Sequence, residues 1–269
     1  MIYSKADKSL HETKVTTLSN GLRVASEPKF GQFCTVGVII DSGSRYELSF
    51  LSGMSHFLEK LSFGKTEQYE SKDHILQDLE KHGGICDCQG SRDSLIYAAS
   101  IDSRGLGVIV NILSEVVLRP QITDEDLDIA RKVISFELQD IDLRPDQETV
   151  LMELIHAAAY RGNTLGLPKI CPEENINKIS RQLIYSYMRL YHDPSRMVLA
   201  GVGVNHDELV ELAEKHFNQN KPIWEKDGSL HGNLGLNQID QSVAQYTGGM
   251  KKKFKDLSNV CPGRSIGPS

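Results

Sequence analysis

The sequence has few cysteines and no long apolar run. Its 269 residues include five cysteines, an odd number at irregular spacings: Cys34, Cys86, Cys88, Cys171 and Cys261. Such spacings make a poor disulfide framework and are typical of a reducing compartment. No apolar stretch approaches the roughly 20 residues that a membrane-spanning helix requires. We therefore expect free thiols and no membrane span.

Basic charge and leader-like segments are also scarce. The 30 Lys and Arg against 36 Asp and Glu give a net charge of −6. No basic stripe with interleaved aromatic residues appears, so nucleic acid is not an expected partner. The opening MIYSKADKSLHETK has neither an apolar core nor an Arg-rich amphipathic pattern, and we expect no secretory signal or organelle presequence in it.

Strand patterns come early and late in the chain. Asn20-Gly21 lies between two β-type runs, KVTT and LRVAS, and this dipeptide is the strongest short hairpin signal. TVGVIID from Thr35 is apolar enough for a central strand. ICDCQGSRDSLIYAASI from Ile85 predicts two strands around a Gly-Ser turn, and MVLAGVGV from Met197 predicts a buried strand.

Helical periodicity fills most of the rest. From Leu48 an apolar stripe recurs at helical spacing and marks a first helix. A second helix begins near Ser71 and stops at Gly83-Gly84, as caps prefer. Further helices are predicted at 106–120, from a Thr123 cap to about 143, at 147–160, at 176–191, and from an Asn205-Glu208 capping box.

These patterns predict one α+β domain at residues 13–220. In it, helices cover a mixed, largely antiparallel sheet in two layers. Residues 1–12 are expected to be an N-terminal tail. Beyond 220 the periodicity fails, and we expect 221–269 to be a linker and a truncated, partly disordered tail with one short strand at SVAQYT.

The stretch MSHFLEKLSF, residues 54–63, carries a chemical pattern. His56, Glu59 and Lys60 stand at i, i+3 and i+4, positions that share one helix face. A histidine in place of Lys60 would complete H-x-x-E-H, in which two histidines bind zinc and the glutamate activates a metal-bound water. Lysine offers no lone pair at neutral pH. The pattern by itself leaves two interpretations open, an ordinary helix face or a zinc site that has lost a ligand.

A carboxylate interrupts the apolar row of the helix predicted from Asp124. Ala130, Ile134 and Ile141 recur at i, i+4 and i+11, and the missing i+7 member is Glu137. A carboxylate on a buried face is costly unless it meets a cation or is protonated. Glu137 is therefore either a functional residue or half of a structural ion pair, and the pattern leaves both open.

Several longer segments resemble one family. The segments NGLRVASE, FGQFCTVGVIIDSGSRYE, LSGMSHFLEKL, LEKHGGICDCQ, RMVLAGVGV and VAQYTGG are together similar to the alpha subunits of mitochondrial processing peptidases. These are inverted-zincin, pitrilysin-like metallopeptidases. The similarity runs from about His11 to Asn259. It implies a heterodimer with a catalytic, zinc-bearing beta subunit that removes presequences from imported proteins in the mitochondrial matrix.

The resemblance also assigns positions. His56 is equivalent to the first zinc histidine, Glu59 to the catalytic base and Glu137 to the third ligand, while Lys60 replaces the second histidine. We expect no functional catalytic residue, metal or other cofactor in this chain, because His56 and Glu137 alone make a two-ligand site. We expect the Lys60 ammonium to pair with Glu137 or Glu59. The sequence assigns no substrate-binding residue.

Three functions stay open on these grounds. The favoured one is a non-catalytic subunit, or its first half, that binds presequence peptides and supports the beta subunit. The family has two homologous halves with a Gly-rich loop in the second, and this chain ends just past the first, so a fragment, an isoform or a truncated gene model are alternatives. The second function is a structural core subunit of a respiratory ubiquinol–cytochrome c reductase. The third, an independent zinc enzyme, requires metal despite Lys60.

Overall fold

The computed structural model describes residues 12–230, Gly232 and Tyr246. Within these residues one sheet has six strands: β1 (Lys14–Thr17), β2 (Arg23–Glu27), β3 (Phe33–Ile40), β4 (Ile85–Gly90), β5 (Leu95–Asp102) and β6 (Met197–Val202). Their order is β1-β2-β6-β3-β5-β4. β2 and β6 run parallel, and the other four neighbouring pairs are antiparallel. The predicted mixed, largely antiparallel sheet is confirmed.

The predicted hairpin at Asn20-Gly21 joins β1 to β2. The Asn20 side-chain oxygen accepts from the Leu22 N–H at 3.0 Å, and Gly21 has φ +89°, a conformation that favours glycine. A Cβ on Gly21 would lie 2.9 Å from the Ser195 Cβ. The turn thus needs glycine both for its backbone angle and for its packing against the segment before β6.

β3 is the central strand that its apolar sequence predicts. Val36 pairs with Ala99 of β5, and Val38 lies between Tyr97 of β5 and Leu199 of β6. All five of these side chains are buried. Alternate residues of each strand point to one face, so this register builds a continuous apolar layer beneath the helices.

The described residues contain nine α-helices: α1 (Met54–Leu61), α2 (Lys72–Glu80), α3 (Leu106–Leu118), α4 (Asp124–Leu143), α5 (Glu148–Ala159), α6 (Glu173–Ile176), α7 (Arg181–Tyr191), α8 (His206–Ala213) and α9 (Ile223–Lys226). α3 packs on β3 and β5, α8 on β2, and α1 on β4. The α+β class is therefore confirmed. Over the described ranges, no helix has the length and apolarity to cross a membrane.

Two helices differ from their predicted bounds. Residues Ser44–Ser49 form a short 3-10 helix, and α1 begins only at Met54 because Gly53, with φ +113°, breaks the chain direction. The helix predicted at 176–191 begins later than predicted, at Arg181. α6 ends at Ile176, and α7 starts anew where the Ser180 hydroxyl accepts from the Leu183 N–H. The sequence-based prediction missed both breaks because the apolar periodicity continues through them.

The domain boundary predicted at residue 220 stays a prediction. α9 lies just beyond it, and its Ile223 and Trp224 are buried in the hydrophobic core. Apart from Tyr246, the predicted strand at SVAQYT lies outside the described residues, as does Cys261.

Candidate functional site

Helix α1 is held at its N-terminus by a buried carboxylate from the preceding 3-10 helix. Glu47 accepts from the Gly53 N–H at 2.6 Å, and from both the N–H and the hydroxyl of Ser55 at 2.7 Å. The first N–H groups of a helix have no partner within the helix, and Glu47 supplies one from outside. This cap sets where α1 begins, and thereby where its polar side chains point.

The apolar side of α1 fixes the helix in the core. Met54, Phe57 and Leu58 are buried, which leaves the side that carries His56, Glu59 and Lys60 towards α4. On α4 the buried row runs through Ala130 and Ile134 to the half-buried Glu137, as the sequence spacing predicts. The packing of α1 on α4 therefore brings together residues that are about 80 positions apart in the chain.

The Lys60 ammonium lies between two carboxylates. Its Nζ is 2.8 Å from Glu137 Oε2 and 3.0 Å from Glu59 Oε1. The predicted pairing of Lys60 with these residues is confirmed. The structure therefore places the ammonium against both residues to which the resemblance assigned the places of catalytic base and third zinc ligand.

His56 is bonded through both ring nitrogens. Its Nε2 lies 3.2 Å from Glu137 Oε2, the oxygen that Lys60 also contacts. Its Nδ1 accepts from the backbone N–H of Cys171 at 3.2 Å. The imidazole is 6% exposed, so these two partners determine its orientation.

Glu59 connects the cluster to the sheet. While Oε1 faces Lys60, Oε2 accepts from the Gly90 N–H at 2.9 Å, at the end of β4. A Cβ on Gly90 would lie 3.1 Å from this oxygen, so glycine permits the close approach. Glu59 is thus a bridge between α1 and β4.

The electrostatics favour a closed network of charges. The hydrogen bond from His56 lowers the pKa of Glu137 to about 2; burial opposes this shift, and Lys60 adds to it. Burial by itself lowers the pKa of Lys60, but its hydrogen bonds to Glu137 and Glu59 outweigh burial and raise that pKa above its usual value. Lys60 is therefore a cation and Glu137 an anion throughout the neutral range.

These residues do not fit a zinc ion. A catalytic zinc takes three protein ligands with lone pairs, and the Lys60 ammonium occupies the neighbourhood of both carboxylates without offering one. Among the residues that the structure describes, no three His, Cys, Asp or Glu side chains are grouped to hold a metal ion. The arrangement pairs charges between α1 and α4 and adds a hydrogen bond from the β4 backbone.

Sequence reasoning missed four residues of this site: Glu47, Gly53, Gly90 and Cys171. Gly53, just before the apolar helix, carried the one usable signal, because a glycine there suggests a break in the chain. Gly90 and Cys171 act through the backbone, by contacts with distant segments, whereas Glu47 reaches six and eight residues along the chain to cap α1. Local periodicity carries no trace of such contacts.

The match to known proteins covers this whole arrangement. Residues 23–173 match the insulinase family of peptidases, M16, and residues 178–258 match the family's inactive domain. The chain belongs to peptidase family M16. The first matched region contains α1 and α4, and so the residues that would be ligands in a metal-bearing M16 site.

Several M16 relatives are close in sequence. The chain is 57% identical over 258 residues to the mitochondrial-processing peptidase subunit alpha of Pongo abelii, covering 96% of this chain and 47% of that protein. The ubiquinol-cytochrome-c reductase complex core protein I of Euglena gracilis is 37% identical over 80% of this chain and 44% of its own length. The processing peptidase subunit beta of Bos taurus is 37% identical over 77% of this chain and 42% of its own.

The chain spans about half the length of the curated relatives it matches. Among solved structures, it is similar to the crystal structure of a protease from Helicobacter pylori. The TM-score is 0.70 at 22% identity, over 86% of this chain and 54% of that one. At that identity the likeness shows a shared fold.

Proposed function

We propose that this chain acts as a non-catalytic alpha-type subunit, or its first half, of the mitochondrial processing peptidase. In this role it binds presequences and supports a zinc-bearing beta subunit that cleaves them. This proposal rests on one observation: the Lys60 ammonium is paired with Glu59 and Glu137, where a peptidase would hold zinc. The 57% identity to an alpha subunit supports the assignment, against 37% to a beta subunit.

On this proposal the chain does not hydrolyse peptides by itself, and the charge pairing supports that part of the proposal. An M16 peptidase needs a lone-pair ligand at position 60 and a glutamate free to take a proton from a metal-bound water. Here Glu59 accepts from both Lys60 and the Gly90 N–H. We propose that neither Glu59 nor His56 nor Glu137 acts in catalysis or binds metal in this chain, and that zinc resides in the beta subunit.

The helix α4 supports a role in attracting basic peptides. Acidic side chains outnumber basic ones between residues 124 and 148, and an acidic surface raises the association rate of cations at low salt. Asp128 and Asp140 are neutralised in part by Arg131 and Arg144 one turn away. The attraction is therefore modest, and presequence association should slow as salt is added. We propose the mitochondrial matrix as the place of this activity; the relatives' names support the mitochondrion.

The second candidate is a structural core subunit of a respiratory complex. The similarity to core protein I of Euglena gracilis favours it, because such a subunit could share the fold without a peptidase role. The two candidates differ in partner. A processing subunit associates with a soluble beta subunit, whereas a core subunit co-fractionates with a membrane complex.

The test mixes the purified chain with a zinc-loaded processing peptidase beta subunit. We expect the two to co-elute in size-exclusion chromatography and the chain to bind a fluorescent presequence peptide, with no cleavage by the chain alone. A scrambled peptide of equal charge is the matched control. Chelator-sensitive cleavage by the chain alone would overturn the proposal. Failure to bind the beta subunit, with recovery in a membrane complex, would replace it by the second candidate.

A further inference from the structure

We infer that the structure locks His56 in the tautomer that carries its proton on Nε2. The imidazole then presents a hydrogen-bond donor, and no lone pair, to the place where an M16 peptidase holds zinc. Two positions, Lys60 and His56, then each lack a lone pair that could bind zinc. The substitution Lys60→His alone therefore does not restore zinc binding. The inference rests on backbone contacts of this chain and is independent of presequence binding.

The first step is the contact at Nδ1. The donor that faces this nitrogen is the backbone N–H of Cys171, at 3.2 Å. A peptide N–H can only donate, so Nδ1 must accept and must carry the lone pair. A neutral imidazole has one protonated nitrogen, and that nitrogen is then Nε2.

The second step is the contact at Nε2. This nitrogen lies 3.2 Å from Glu137 Oε2, and an ionised carboxylate can only accept. The Lys60 ammonium donates to the same oxygen at 2.8 Å, so Glu137 faces this site as an acceptor. Both neighbours of the ring therefore select the same tautomer.

Zinc ligation requires the opposite arrangement. A zinc-bound histidine coordinates through one nitrogen and donates its other ring N–H to an acceptor, which fixes the tautomer. If Nε2 of His56 ligated a metal, Nδ1 would have to carry the proton and would then face the Cys171 N–H. Two donors would point at each other in a buried place, and a buried donor without a partner is costly.

The Cys171 donor cannot easily move away. The Cys171 side chain is fully buried, and Asn175 of α6 donates to the Ser52 carbonyl at 3.1 Å. Gly53 permits this closeness, because a Cβ there would lie 2.4 Å from the Cys171 Sγ and 2.9 Å from its Cα. The segment that supplies the donor is therefore packed tightly against the start of α1.

The direct test reads the tautomer in the unaltered protein. Long-range ¹H–¹⁵N correlation spectra of the ¹⁵N-histidine-labelled chain at neutral pH distinguish protonated from unprotonated ring nitrogens, and His56→Gln identifies the resonances. We expect an unprotonated Nδ1 and a protonated Nε2 for His56. A protonated Nδ1 would overturn the inference. The measurement depends on no variant other than the one used for assignment.

A second test measures zinc affinity by competition with a chromophoric chelator. We expect Lys60→His to bind zinc no better than the matched control Lys60→His/His56→Gln. Adding Cys171→Pro to Lys60→His removes the opposing N–H and should tighten binding by about 10–100-fold, the range that such supporting contacts carry. Tight zinc in Lys60→His that is lost in the control would overturn the inference. Equal binding in both would show that His56 takes no part, as proposed.

Discussion

Two clusters of charge in this protein are built differently. On α3, Arg119 and Glu115 form an ion pair one helical turn apart, and their side chains are 2% and 1% exposed. At the α1–α4 site, Lys60 is 21% and Glu137 36% exposed. The first cluster is sealed from water, and the second is open to it on one side.

The surroundings of the two clusters differ in the same way. The Arg119 guanidinium also donates to the Ser114 hydroxyl at 2.8 Å and to the His216 carbonyl at 3.3 Å, so it joins α3 to the end of the helix that follows β6. At the open site, water can replace a lost partner. A buried pair is strongly destabilising when one member is removed, whereas an exposed pair contributes little. The open cluster should therefore tolerate a change of partner better than the sealed one.

The largest effect is expected from breaking the sealed pair. Arg119→Met leaves the Glu115 carboxylate buried without a cation, and we expect a loss of about 3–5 kcal/mol in the free energy of unfolding. Urea denaturation followed by circular dichroism measures this loss. The double variant Glu115→Gln/Arg119→Met should lose less, because no unpaired charge remains. Equal losses in the single and double variants would contradict the account.

Glu47 sharpens the comparison, because it is buried like Glu115 but forms no ion pair among the described residues. Burial raises its pKa to about 7, although its hydrogen bonds from Ser55 and Gly53 oppose the shift. The folded state thus holds this proton more tightly than the unfolded chain. The resulting stabilisation is complete below pH 4.5, the ordinary pKa of a glutamate, and is lost as pH rises through about 7.

The size of this effect is about 3 kcal/mol, from roughly 1.4 kcal/mol for each pH unit between the two pKa values. We expect the Glu47→Gln variant to lack this part of the pH dependence. The two proteins are compared by the slope of unfolding free energy against pH. Absolute stabilities are not compared, because the glutamine NH₂ can face the Gly53 N–H and change the stability at every pH. Parallel slopes for the two proteins would refute the assignment.

A smaller effect is expected at the open site. Glu137→Gln removes the anion that Lys60 and His56 share, and we expect a loss of about 1–2 kcal/mol, reduced by the access of water. The Glu137 pKa is lowered from 4.5 to about 2, so its stabilisation is present above pH 4.5 and is lost as pH falls towards 2. The gap between wild type and variant should close over that interval. Glu125→Gln, exposed on the same helix, is the matched control and should show no such closing.

The smallest effect is expected at the surface of the same helix. Arg144 pairs with Asp140 one turn away, and both side chains are more than half exposed. We expect Arg144→Ala to change the free energy of unfolding by no more than about 0.5 kcal/mol. Urea denaturation alongside Arg119→Met measures this directly. If Arg144→Ala lost as much unfolding free energy as Glu137→Gln, solvent exposure would not determine how much these ion pairs stabilise the fold.

Much of the fold was predictable because its signals are local. The Asn20-Gly21 turn, the apolar run of β3 and the Thr123 cap of α4, whose reciprocal bonds with Asp126 are present, each lie within a few residues. The errors at α1 and α6–α7 arose where apolar rows continue across a break. Gly53 and Ser180 decide those breaks, and their effect depends on what packs against the chain there.

The site divides in the same way. Helical spacing put His56, Glu59 and Lys60 on one face, and the gap in an apolar row exposed Glu137 as an anomaly. No local pattern could reveal that Glu47 caps α1, that Gly90 holds Glu59, or that Cys171 donates to His56. The last two contacts join residues distant in sequence through the backbone, which every residue shares, and the first depends on the turn between Glu47 and α1.

By itself, the sequence determined that this chain folds as an α+β domain and that lysine stands where zinc would need a histidine, because side-chain periodicity and ligand chemistry are properties of the residues alone. Only the tertiary structure decided what the lysine does and which way the histidine is turned. Ion pairs and tautomers depend on the atoms within about 3 Å, and at this site the packing of α1 against α4, β4 and the Cys171 segment brings those atoms together.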